Sequence, residues 1–176
     1  MAKNLVLIGF MGTGKSTVGI RLAQKMKREF IDMDREIEEV CGMSVAEIFK
    51  RCGEVRFRSE ESLLAAKLGE KQDKVISTGG GAVLFAENVD SLRKNGILIC
   101  LDADPADIFS RVNRKKGSRP LLKKNMTIED IENLLKQREP YYAQADIRIS
   151  TSGKDLDRVV REIMEIIQAK NLLADQ

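Results

Sequence analysis

The stretch Gly9-Phe-Met-Gly-Thr-Gly-Lys-Ser-Thr17 has the spacing G-x-x-x-x-G-K-[ST], met at Gly9, Gly14, Lys15 and Ser16. An apolar, β-prone run, Leu5-Val-Leu-Ile8, precedes it, and a helical pattern with Val18, Leu22 and Met26 on one face follows. Strand, turn and helix therefore come in the order that a phosphate-binding loop requires. Glycines let the backbone curl into a nest of N–H groups and let a phosphate approach where a Cβ would clash. Lys15 can reach the β- and γ-phosphates, and the Ser16 hydroxyl can ligate Mg²⁺. A helix starting near Lys15 adds its positive dipole end to the same anion site. A purely structural glycine turn is the competing reading, and the flanking elements speak against it. The segment Gly12, Thr13, Gly14, Lys15, Ser16 and Thr17 is thus expected to hold a nucleoside triphosphate.

The chain has 176 residues, 43% hydrophobic and 32% charged, with a formal net charge of +3. This suggests one globular domain over 1–176, long enough to bury a sizeable core. The net charge is too small to argue for nucleic acid, so a local basic site is expected instead. Histidine is absent, which excludes histidine bases, catalytic triads and most zinc sites. Cys41, Cys52 and Cys100 are odd in number and lack C-x-x-C pairing, so a reducing cytoplasm fits better than a disulfide framework. No signal peptide and no stretch of membrane-spanning length are expected, since the first apolar run is already the first strand.

Downstream, Phe30-Ile-Asp-Met-Asp34 reads as a short strand ending in two carboxylates. In an extended segment Asp32 and Asp34 point the same way, toward the strand's carboxyl end, where ligands bind in open α/β sheets. Asp34 can equally cap the helix that begins with Arg35. Ser44-Val-Ala-Glu47 fits a capping box. Gly53 should break the helical run it opens, with a second helix turning Val55, Leu63 and Leu64 inward. Phe57-Arg58 is either a surface arginine with its stem on an aromatic neighbour or a ligand residue. Lys74-Val-Ile-Ser-Thr78 reads as a buried strand running into Gly79, Gly80 and Gly81. Three ordered glycines make sense where backbone approaches a ligand, although a flexible turn would look the same.

Ile97-Leu-Ile-Cys-Leu101 is the clearest central strand. Asp102 at its end is a rival candidate for a metal, ranked behind a role as a helix-start residue, and Pro105 suits a first helical turn. The basic, aperiodic stretch 113–125 reads as a solvated loop or as a mobile lid closing over phosphates. Thr127-Ile-Glu-Asp130 opens a further helix, with a break or kink expected at Glu139-Pro140. Ile147-Arg-Ile149 is a last short strand, and Leu156, Val159, Val160, Ile163, Ile166 and Ile167 form the buried face of a final helix. About five strands alternating with helices is the pattern of a parallel sheet covered on both faces. GTPase signatures of the D-x-x-G and N-K-x-D type are absent, and the chain is short for a motor. Phosphoryl transfer from ATP to a small acceptor remains.

Gly9 to Thr17, Asp32-Met-Asp34, Phe57-Arg58, Gly79 to Gly81, Arg119-Pro-Leu-Leu122 and Arg138 with Glu139-Pro-Tyr141 follow one another as in shikimate kinases. The chain resembles that family from Lys3 to Ile167. The resemblance implies a three-layer P-loop kinase fold, nucleoside-monophosphate-kinase-like, with five parallel strands in the order 2-3-1-4-5. It also implies a shikimate-binding region at about 33–62 and a mobile lid at about 113–125. The implied activity is ATP-dependent phosphorylation of the 3-hydroxyl of shikimate in the chorismate pathway. Asp34, Arg58, Gly80 and Arg138 would hold shikimate, Arg119 would be the lid arginine on the phosphates, and Arg111 would lie against the adenine.

These assignments suit the substrate. A guanidinium matches a carboxylate at two points, which fits Arg58 and Arg138, and a carboxylate at Asp34 suits the attacking hydroxyl. The Gly79 to Gly81 backbone can approach the ring. Lys15, Asp34 and Arg119 are the expected catalytic residues. One Mg²⁺ per subunit would be held by Ser16, the phosphates and water, with Asp32 reaching it through water. Lys154 is the only base-side candidate in Thr151-Ser-Gly-Lys154. The expected partners are ATP and shikimate, with no nucleic acid or membrane, in a monomer. A related gluconate or nucleoside monophosphate kinase, or a non-enzymatic ATP-binding regulatory module, are the alternatives.

Overall fold

A computed structural model describes residues 2–114 and 126–173. Five strands, β1 (Asn4–Ile8), β2 (Glu29–Asp32), β3 (Lys74–Ser77), β4 (Gly96–Asp102) and β5 (Ile147–Ser150), form one sheet in the order β2-β3-β1-β4-β5. Every pairing is parallel, so all the carboxyl ends open on one edge. This is the order that the resemblance implied.

Helices cover both faces because alternate strand residues point to opposite sides. Leu5 and Leu7 pack with α1 (Lys15–Met26) and α7 (Leu156–Ala169) through Val18, Leu22, Val160 and Ile163. Val6 and Ile8 face the other layer, formed by α3 (Val45–Gly69), α4 (Ala86–Arg93), α5 (Pro105–Arg114) and α6 (Ile128–Tyr142). A small third cluster, Ile37, Ile48 and Phe57, joins α2 (Met33–Cys41) to α3 and gives the region around 33–62 an apolar centre of its own. The final helix buries the face expected of it, with Leu156 and Ile166 at its half-buried margin.

Several local expectations need correction. Asp34 is not on a strand. The chain becomes helical at Met33, and it is Asp32 that caps α2, accepting from the backbone N–H groups of Asp34 and Arg35. Gly53 does interrupt α3, with φ 83 and ψ 167. Beyond it, however, Val55 and Leu63 are 82% and 68% exposed. The inward stripe is Phe57, Glu61, Ala65 and Leu68, with Leu64 at its edge. A glutamate in that stripe hides it from a hydrophobic count.

The expected break at Pro140 does not occur, and α6 runs through it to Tyr142. Pro140 removes one backbone donor, but Ala143 still donates to the Glu139 carbonyl and the Tyr142 ring is buried, so the last turn is held. Asp102 does not start a helix. It ends β4, and Arg148 takes its carboxylate.

Candidate active site

The nucleotide wall grows out of β1. After Ile8 the chain turns through Gly9, Gly12 and Gly14 at φ 140, 80 and 96, conformations that residues with a Cβ rarely adopt. The Thr13 hydroxyl ties the loop internally by donating to the Phe10 carbonyl at 2.8 Å. Lys15 is buried, and its ammonium donates to the carbonyls of Gly9 and Phe10 at 2.8 and 3.0 Å, which sets the charge over the loop. Gly14 caps α1 without a side-chain acceptor, and the first turn holds no acidic residue. Helices α2, α3, α6 and α7, by contrast, are each capped by an Asp, Ser or Thr side chain. The N–H groups at the start of α1 are left for an anion.

Arg111 and Thr151 lie at the other end of the phosphate loop. Arg111 donates to the Gly12 carbonyl at 3.1 Å and to the Thr151 hydroxyl at 3.2 Å. That hydroxyl lies 3.1 Å from the Thr13 carbonyl and 3.0 Å from the Asp102 carbonyl. Thr151 thereby links the loop to the ends of β4 and β5, a role its sequence context does not announce. Lys154 lines the same space but is paired to Glu162. Arg119, the expected lid arginine, lies outside the described residues, as does all of the expected lid beyond Arg114.

Ser16 and Asp32, the two residues expected to serve a metal, lie side by side. The Ser16 hydroxyl donates to Asp32 Oδ2 at 2.6 Å, while Oδ1 of the same carboxylate serves the α2 cap. Among the described residues no group of three His, Cys, Asp or Glu is placed to hold an ion. Mg²⁺ keeps several waters and binds through one or two protein oxygens plus substrate phosphates. One hydroxyl and one carboxylate beside a phosphate loop fit that requirement.

The acceptor wall forms around Gly79, Gly80 and Gly81, which follow β3. Their φ values are not positive, so they are glycines for space rather than for conformation. A Cβ on Gly79 would stand 2.8 Å from Asp34 Oδ1 and 2.9 Å from Glu61 Oε1, and one on Gly81 would stand 2.6 Å from Arg58 Nη2. The loop thus admits the protein's own charged side chains, besides leaving Gly80 open toward the cavity. Arg58 is fixed on several sides. It pairs with Glu61 at 2.8 Å and Glu54 at 3.3 Å, and its guanidinium lies 5.3 Å from the ring centres of both Phe57 and Phe85. Arg138 donates to the Gly80 carbonyl at 3.2 Å and stands 5.1 Å over the Phe10 ring. Stacking of this kind holds a guanidinium plane without using up its N–H donors.

Glu61 is the main residue that sequence reading missed. It is fully buried, and only Oε2 has a hydrogen-bond partner, Arg58, while Oε1 has none. Burial raises its carboxyl above the usual range, Arg58 opposes this, and the nearby Asp34 adds to it. The signal was present, since a glutamate three residues after Arg58 falls in phase with Phe57, Ala65 and Leu68.

One cavity of about 520 Å³ joins the two walls. It is lined by Gly12 to Thr17, Asp32, Asp34, Arg58, Glu61, Gly79 to Gly81 and Arg111, among others. Arg138 is not on the lining itself but binds the carbonyl of Gly80, which is. The cavity's volume is in the range of small-molecule sites.

Comparison with known proteins bears on what those ligands are. The profile of the family described as shikimate kinase matches residues 11–168. A shikimate kinase of Pelotomaculum thermopropionicum is 53% identical over 97% of this chain and 99% of its own. One from Desulforudis audaxviator is 49% identical over 97% of this chain and 89% of its own. Among solved structures, a shikimate kinase from Acinetobacter baumannii in complex with shikimate superposes with a TM-score of 0.90 at 36% identity, covering 97% of this chain and 95% of that one. A gluconokinase from Sinorhizobium meliloti, at 17% identity and a TM-score of 0.60, shares the fold alone. The chain is an enzyme of the P-loop kinase type and belongs to the shikimate kinase family.

Proposed function

We propose that the chain transfers the γ-phosphoryl group of ATP to the 3-hydroxyl of shikimate, releasing ADP, with Asp34, Arg58 and Arg138 on the acceptor and Lys15 on the phosphates. The observation that carries this reading is that Arg58, Asp34 and Glu61 gather on one glycine loop in the same cavity as the phosphate loop, with Arg138 bound to the Gly80 carbonyl of that loop. An acceptor with a carboxylate and several ring hydroxyls uses all of them. Arg58 and Arg138 offer planar donors to the carboxylate. Asp34, in the first turn of α2, orients the hydroxyl and accepts its proton as the oxygen bonds to phosphorus and the bond from phosphorus to the β-phosphate oxygen breaks. A loose transition state needs position and charge neutralisation more than a strong base, so an ordinary carboxylate suffices.

Lys15 and the N–H groups of α1 meet the negative charge on the transferred group, and Arg111 borders the adenine. Ser16 and Asp32 would hold Mg²⁺, which would supply charge neutralisation at the phosphates. Arg119, which lies outside the described residues, is assigned to the phosphates. The three thiols are unpaired, in keeping with the cytoplasm, and among the described residues no helix is long and apolar enough to cross a membrane.

An assay of the purified protein with ATP, Mg²⁺ and separate additions of shikimate, gluconate and AMP tests the proposal. ADP should appear with shikimate alone. Turnover confined to gluconate or AMP would assign the acceptor wall to another substrate, and binding of ATP without transfer to any of them would leave a regulatory module.

A further inference from the structure

Asp102, which a sequence reader weighs as a metal ligand, takes no part in the proposed reaction. Its carboxylate is engaged at both oxygens by Arg148, through Nε to Oδ2 and through Nη2 to Oδ1 at 3.2 Å. The same guanidinium grips a second carboxylate, with Nη1 on Glu139 Oε1 and Nη2 on Glu139 Oε2 at 2.8 Å. Arg148 therefore ties the end of β4 to the last turns of α6 from its place on β5. Glu139 is the neighbour of Arg138, which reaches the Gly80 carbonyl and stacks on Phe10.

Adjacent helical residues are separated by a fixed rotation of about 100°. Fixing the direction of Glu139 therefore fixes that of Arg138. This part of α6 has reason to need an external hold, because Pro140 lacks the N–H that would bond to the Lys136 carbonyl. Tyr142 anchors the end of the helix by burial beside Arg138, but it does not by itself supply a directional tie to β5. A guanidinium that forks to two carboxylates does, since both contacts are planar and directional. Hydrogen bonding to Arg148 also holds the Glu139 carboxyl below the usual range, in line with a bridge that stays charged at neutral pH.

We propose that the Asp102–Arg148–Glu139 bridge is a positioning device that aims Arg138 at the acceptor's carboxylate. The inference rests on the reading of Arg138 given above. The members of the bridge are between 33% and 52% exposed, so its effect is modest. Arg148→Met should raise KM for shikimate about three- to tenfold, the range expected of a partly exposed ionic network, with kcat and KM for ATP nearly unchanged. Arg148→Lys should recover only part of the loss, because an ammonium cannot fork to two carboxylates.

The discriminating measurement is the double variant Arg138→Met with Arg148→Met. If Arg148 acts through Arg138, its KM for shikimate should equal that of Arg138→Met alone. Multiplied effects would show that Arg148 acts elsewhere, and would overturn the proposal. So would an Arg148→Met enzyme with unaltered KM while Arg138→Met is strongly impaired. An unaltered KM in Arg138→Met would instead remove the underlying assignment of Arg138. Should Arg148→Met fail to fold, Glu139→Gln cuts the bridge at one end with little change of shape, and the same comparisons are made with it.

Discussion

Two glycine-rich loops face each other across the cavity, and Gly14 of one is glycine for the opposite reason to Gly79 and Gly81 of the other. In the phosphate loop Gly14 has open space around it yet sits at φ 96. In the acceptor loop Gly79 and Gly81 have backbone conformations open to other residues, but their Cβ positions are claimed by Asp34, Glu61 and Arg58. The first loop is shaped by its own backbone conformation. The second is shaped by side chains that arrive from α2 and α3. Motif reading works for the first kind of loop and fails for the second, because the partners of the second are far away in sequence.

The largest effect that sharpens this contrast is expected on the phosphate side. Lys15→Met should lower kcat by about 10² to 10³, the loss that follows removal of one donor aimed at developing charge. Its circular dichroism should match that of the parent. Near-normal turnover would mean that the backbone of the loop does the work without the lysine.

Next come the acceptor-loop glycines. A Cβ on Gly81 meets the movable end of Arg58, so Gly81→Ala should fold but displace that guanidinium. KM for shikimate should rise about tenfold or more, the cost of one charge-assisted hydrogen bond, with KM for ATP little changed. Gly80→Ala separates protein from substrate, because its Cβ would find only ordinary contact, Met11 N at 3.5 Å. Any loss there reports a clash with the acceptor. A Gly80→Ala enzyme with full activity would place the ring away from this loop.

Gly14→Ala gives a smaller and different signature. With space available and only φ against it, the change should cost about 1 to 2 kcal/mol of stability. That is a fall in Tm of roughly 2 to 8 °C for a chain of this size. If Gly14→Ala left Tm unchanged while Gly81→Ala lowered it sharply, the contrast between the two loops would be reversed.

The smallest effect concerns Glu61. Because burial raises its carboxyl in the folded state, the stability it contributes is full below the ordinary value of 4.5 and is lost as pH rises through the raised value. Glutamine does not titrate. The Tm of Glu61→Gln relative to the parent should therefore improve steadily from acidic to neutral pH, while KM for shikimate rises severalfold as Arg58 loses a charged partner. A Tm difference independent of pH would mean that Glu61 does not change protonation with folding in that range.

By itself the sequence determined the strand, loop and helix of the nucleotide wall, the alternation of strands and helices, and the side chains able to do the chemistry. These are local facts. Periodicity, capping boxes at Ser44 and Thr127, and a glycine spacing are all written within a few residues, so they survive without knowledge of the rest. Tertiary structure alone decided which charges meet. It turned Glu61 inward and Val55 outward, gave the cap of α2 to Asp32 rather than Asp34, and carried α6 through Pro140. It also gave Asp102, expected at a helix start, to Arg148, 46 residues away. A buried charge is acceptable only where a partner from another element repays its lost hydration. That partner is set by how the helices pack on the sheet, which no local window contains.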